Sequence, residues 1–125
     1  MKGFGRREKT NDFVRTVHAL VEMCEYSAVP FFDVSNTANK LNGLFGSKTL
    51  RVDTDEKRIL IQRLATVMSD RLSEADADDC SRLAWLYFHL HDEVRVRSLT
   101  KEGLKLAPDN EHLKRLAEKL KLSIF

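Results

Sequence analysis

The stretch ADDCSRLAWLYFHLHDEVRVRSLTKEGLKLAPDN, residues 77–110, decides the fold. Within it Leu83, Ala84, Leu86, Tyr87 and Leu90 recur at helical spacing and define one helix. The interruption at His91-Asp92-Glu93 is too short for anything but a tight connection. A second helix, about Glu93 to Leu106, must therefore pack antiparallel to the first. Pro108 has no N–H and a fixed φ, so it stops that helix. Asp76 is placed to cap the first helix, and Asp109 or Asn110 a third, with the stripe Leu113, Leu116, Ala117 and Leu120. Gly103 costs about 1 kcal/mol in a helix relative to alanine, so it needs a packing reason. Two helices joined by a tight turn approach closely only where side chains are small, and Ala84 and Gly103 supply that room.

Working outward to the N-terminal side, residues 1–9 are polar and basic and read as a mobile tail. Thr10 caps a helix with Asp12 in its first turn, and Phe13, Val17, Leu20, Val21 and Cys24 form its apolar stripe. That helix ends near Tyr26, because Pro30 disfavours helical geometry at Val29. The next runs from about Phe31 to Phe45, with Val34, Ala38, Leu41 and Phe45 on one face, and Gly46 to Val52 reads as a loop. Asp53 and Glu56 form a capping-box-like pair before a helix carrying Leu60, Ile61, Leu64, Ala65, Val67, Met68 and Leu72. Ser73-Glu74-Ala75-Asp76 is a turn. Nothing alternates with period 2, so no sheet is expected. The reading is a single all-α domain over 10–125, of about six helices in antiparallel hairpins. Residues 10–73 are its N-terminal helices, and 77–122 a hairpin plus a further helix.

Bulk properties agree. The chain has 125 residues, enough for one domain with its own core. Its 42% apolar and 32% charged residues exclude a disordered chain. A formal net charge of +2 gives no strong pull towards DNA or membranes. The start, MKGFGRREKT, is not followed by the apolar run of a signal peptide, and no stretch is long enough to span a bilayer. Cys24 and Cys80 sit in helical patterns, as free buried thiols of a reducing compartment would. The expected location is cytoplasmic.

Gly103-Leu104-Lys105-Leu106-Ala107-Pro108-Asp109-Asn110 resembles the end of a tetratricopeptide repeat, where a small residue, a leucine pair and a proline close the second helix. With Pro108 in that place the repeat opens near Ala77. Leu83 then falls at the family's leucine, Ala84 at its small residue and Tyr87 at its aromatic. Cys80, Val96 and Thr100 depart from the usual tryptophan, alanine and large aromatic, and the latter two weaken the packing argument for the second helix. The resemblance covers residues 77–122, with the last helix as a solvating cap. It implies a right-handed α-α superhelix whose concave face binds other proteins.

On that face the resemblance places Asp78, Ser81, Arg82, Trp85, Phe88 and His89. Trp85, Phe88 and His89 stand at i, i+3 and i+4, an aromatic cluster suited to anchoring a partner's side chain. The alternative is that the N-terminal helices fold over Trp85 and Phe88 and make them core. Ser81 and Trp85 stand where a lysine or asparagine of a carboxylate-gripping repeat would, which argues against that mode.

A second patch, Arg97, Lys101 and Lys105, forms a basic stripe, offset by Glu93 and Glu102 and without aromatics. It disfavours nucleic acid as a partner. No spaced His/Cys set supports zinc, and the acidic run Glu74, Asp76, Asp78, Asp79 lacks the glycine and closing glutamate of a calcium loop. Neither cysteine has a basic partner, and no phosphate-binding glycine loop is present. No cofactor or metal is expected. The expected function is a non-enzymatic protein-protein interaction module or scaffold, self-associating or part of a larger assembly. A small nucleic-acid-binding or regulatory protein using the basic stripe and tail is the alternative. It would lose affinity steeply with salt.

Overall fold

A computed structural model of the chain describes residues 15–46 and 54–120. Over these the protein is all-helical, with no strand. Helix α1 is described over 15–24. It is followed by α2 (Phe31–Gly46), α3 (Asp55–Asp70), a single 3-10 turn (Leu72–Glu74), α4 (Ala77–His89), α5 (Glu93–Leu106) and α6 (Glu111–Lys119). The expectations placed on residues 1–9, Thr10, Asp12, Phe13, Asp53 and most of the 46–52 loop, and on residues beyond 120, lie outside the described residues.

Each helix start has a local cause. Thr54 caps α3, its hydroxyl accepting from the Lys57 N–H at 3.3 Å, one residue beyond the Asp53 expected from the sequence. A threonine next to the first helical residue satisfies an orphan donor as well as an aspartate one position earlier. Asp76 and Asp79 form a reciprocal capping box at the entrance of α4. Of the two candidates for α6, Asn110 is the cap, accepting from Leu113 N–H at 3.1 Å.

The link between α4 and α5 is compact because each of its residues serves a helix end. The Asp92 N–H reaches Tyr87 C=O at 3.0 Å, and the His91 N–H reaches Phe88 C=O at 3.1 Å. These are the two bonds of a Schellman C-cap, and they require a left-handed residue at His91, whose φ is 60°. The Asp92 carboxylate then accepts from Arg95 N–H and opens α5. Three residues thus reverse the chain, and α4 and α5 form the most extensive helix pair.

α4 is the hub, touching α2, α3, α5 and α6. The main core gathers Val17, Val21 and Cys24 of α1, Val34, Ala38 and Leu41 of α2, and Ile61, Leu64 and Met68 of α3. Against them pack Leu83, Leu86 and Tyr87 of α4, Val96 of α5 and Leu116 of α6. Val67 is only partly buried and Leu72 is exposed, because the 3-10 turn carries Leu72 off the apolar face of α3. A smaller cluster of Ala77, Leu104, Leu113 and Ala117 ties α6 to the hairpin. Gly103 sits there. A Cβ on it would lie 2.6 Å from Leu113 Cδ1 and 3.2 Å from Cys80 Cβ, so the bare backbone is what lets α6 approach.

Val96 and Thr100 are both buried, and the Thr100 hydroxyl donates to Val96 C=O at 2.6 Å. The second helix therefore packs through a β-branched pair with no unsatisfied hydroxyl. Arg71 binds the chain before α2, donating to Val29 C=O at 2.7 Å with its guanidinium over the Phe31 ring. No helix among the described residues is long and apolar enough to cross a membrane.

Candidate binding groove

A groove of about 660 Å³ runs along α4 between α2 and α6. Its floor is α4: Asp78, Ser81, Arg82, Trp85, Phe88 and His89 all line it. These side chains recur every third or fourth residue, so a straight helix presents them on one side while Leu83, Leu86 and Tyr87 face the core. Trp85 and Phe88 are partly buried, resting on the core while facing the groove, and α2 flanks them rather than roofing them over. The rings meet edge to face with centroids 5.2 Å apart.

Both walls come from helices that the sequence reading had not assigned to the site. α2 supplies Asn39, Asn42, Gly43 and Phe45, and α6 supplies His112, Arg115 and Lys119. The Lys119 ammonium stands 5.9 Å from the Trp85 ring centre and 5.8 Å from that of Phe88. That is a cation–π arrangement with both aromatics. For α6 a sequence signal existed. It presents residues 112, 115 and 119 with the same spacing as 78, 81 and 85 on α4. For α2 there was none, since nothing local says which helix packs beside α4.

A polar seam holds the α2 wall to the floor. Arg82 donates to the Ser35 hydroxyl at 3.0 Å, Ser35 donates to the Asp79 carboxylate, and Asn42 donates to Arg82 C=O at 2.9 Å. Ser81 is buried at the bottom, so it shapes the groove more than it offers a contact. At the open end Asn110 donates to Asp78 at 2.8 Å, linking α6 to α4.

His89 is enclosed by aromatics, with ring centres at 5.9 Å to Phe45, 6.3 Å to Phe88 and 6.4 Å to Trp85. Burial holds its imidazole down at about 4 against an ordinary 6.5, and His91 adds a smaller push in the same direction. It is therefore neutral at physiological pH, and its Nε2 is buried without a partner among the described residues. Asn42 Oδ1 shares that condition. Such orphaned atoms cost stability unless something outside the described residues satisfies them.

The second patch behaves differently. Arg97 pairs with Glu93 at 2.9 Å and Lys105 with Glu102 at 3.2 Å, which leaves Lys101. Burial pushes the thiols of Cys24 and Cys80 up, which makes them weaker nucleophiles. Among the described residues no three His, Cys, Asp or Glu side chains are grouped to hold a metal. Comparison with protein-family models, curated proteins and solved structures found no match.

Proposed function

We propose that the chain is a non-enzymatic protein-binding module of tetratricopeptide type that grips a protein or peptide partner in the groove along α4. One observation carries the reading. The repeat register set by Pro108 assigns Asp78, Ser81 and Trp85 to the inner face of α4. One period of about 34 residues further on, the same positions are His112, Arg115 and Lys119. Those six residues line one groove. A chance helical hairpin has no reason to bring equivalent positions of successive units to a common concave face. Support also comes from the contacts: α4 packs on α5 within the unit, on α2 and α3 before it and on α6 after it. The α2–α3 pair takes the place of a preceding unit and covers the apolar side of α4 that a single repeat would leave open.

The chemistry suits binding. A partly buried aromatic pair gives an anchor, and polar side chains on both rims give direction and register. The test is selection of peptides from a displayed random library on the full chain, followed by emission spectroscopy of Trp85, the single tryptophan. Selected peptides are expected to shift or quench Trp85 emission and to lose at least about tenfold in affinity on Phe88→Ala. Circular dichroism checks that the variant remains folded. Peptides that bind without touching Trp85 emission, or an absence of any enriched peptide, would refute the groove as the binding site. An emission shift that grows with protein concentration alone would identify a second copy of the chain as the partner.

A further inference from the structure

Resting on that reading, we infer that the groove selects acidic peptide segments, and that Arg115 and Lys119 of α6 are the residues that make the selection. The observation behind this is an imbalance of charge. Arg82, Arg115 and Lys119 line the groove against one carboxylate, Asp78, which is already accepting from Asn110. Along α5 three of the four basic side chains are neutralised by acids of their own turn, Arg95 by Asp92, Arg97 by Glu93 and Lys105 by Glu102, and Lys101 alone is left, outside the groove lining. Neither Arg115 nor Lys119 has an ion pair among the described residues. Glu111 and Glu118 share α6 but are not part of the groove lining. Lys119 lies over the rings of Trp85 and Phe88 instead. An ammonium held on an aromatic face has its outer side free for an anion.

The two walls differ in kind, and that difference selects a peptide. The α6 wall is cationic, while the α2 wall offers the exposed neutral amide of Asn39, Asn42 being tied to Arg82 C=O with its Oδ1 buried. An amide side chain both donates and accepts, as a peptide bond does. An extended segment can lay its backbone along α2, turn carboxylates towards α6 and set one apolar side chain on Trp85 and Phe88. Carboxylates near Arg115 gain a planar, doubly donating partner, which a lysine there would not provide.

The experiment uses the full chain and labelled peptides that share one leucine or phenylalanine and differ only in flanking glutamate, glutamine or lysine. Affinity is read by fluorescence anisotropy at low and at physiological salt. The glutamate series is expected to bind about tenfold tighter than the lysine series at low salt, with the gap narrowing as salt rises. The double variant Arg115→Glu, Lys119→Glu should reverse the order. Both residues are exposed, and the milder Arg115→Gln, Lys119→Gln should abolish the preference if the charge reversal disturbs α6. Equal binding of the three series, or a preference that survives both double variants, overturns the inference and leaves the binding groove standing. Failure of every series to bind, while library-selected peptides still shift Trp85 emission, likewise overturns the acidic preference alone. Failure of both kinds of peptide removes the groove itself.

Discussion

Two helical glycines have opposite surroundings, and replacing each by alanine should move stability in opposite directions. Gly43 is exposed in α2, and a Cβ there meets nothing within 4 Å. Gly43→Ala should therefore gain about 0.5–1 kcal/mol, the ordinary helical advantage of alanine. Gly103 has the same intrinsic disadvantage but no room. Its added methyl would stand 2.6 Å from Leu113 Cδ1, 3.2 Å from Leu113 Cδ2 and 3.2 Å from Cys80 Cβ. Leu113 is fully buried, so its side chain cannot swing into solvent and α6 itself must shift. Overpacking of this kind costs about 1–3 kcal/mol. Set against the propensity gain of about 1 kcal/mol, Gly103→Ala should lose about 1 kcal/mol net. The assay is urea denaturation followed by far-ultraviolet circular dichroism and by Trp85 emission, with a common slope required before midpoints are compared. A Gly103→Ala midpoint at or above that of the unaltered chain would show that α6 is not held against α5 as described.

Further outcomes follow from single side chains. His91 occupies the left-handed C-cap position between α4 and α5, so His91→Gly should stabilise by about 1 kcal/mol in the same denaturation assay. A loss would mean the turn is not left-handed. His89 binds a proton at its ordinary 6.5 in the unfolded chain but only near 4 when folded. The unfolded state therefore takes up more protons between these values, and stability is full above pH 6.5 and falls towards pH 4 by roughly 2–3 kcal/mol. His89→Phe should flatten that slope, read from unfolding free energy against pH; an unchanged slope would show that another group is responsible. Asp76→Ala removes one half of the capping box at the entrance of α4 and should cost about 1 kcal/mol. Thermal unfolding indistinguishable from that of the unaltered chain would show that the box contributes nothing.

How much was legible before the fold was seen depended on how local the cause was. The boundaries of α4, α5 and α6 follow from Asp76, the His91-Asp92 reversal, Pro108 and Asn110, each acting on backbone groups within a turn of itself. The buried stripes follow from spacing alone, since a helix cannot present Leu83, Leu86 and Tyr87 on one side without presenting Trp85 and Phe88 towards another. Even the need for Gly103 was readable, because a glycine inside a helix calls for a close neighbour. The neighbour's identity was not. Leu113 and Cys80 meet at that glycine only because α6 folds back along α5 and α4.

The helices, the cap of α4 and the antiparallel hairpin were thus legible in the sequence, whereas the cap of α3 and the choice between Asp109 and Asn110 were not. Legible too was the spacing that sets Asp78, Ser81, Arg82, Trp85, Phe88 and His89 on one face of α4. Tertiary structure decided what that face looks onto. It brought the amides of α2 to one side and the cations of α6 to the other, and it buried His89 beside Phe45, where burial keeps the imidazole neutral down to about pH 4. The physical reason is one of range. Caps, periodicity and turn geometry act over a few residues, whereas the partner of a helix face is chosen by the burial of apolar surface from segments far apart in the chain, and spacing along one helix carries no record of that choice.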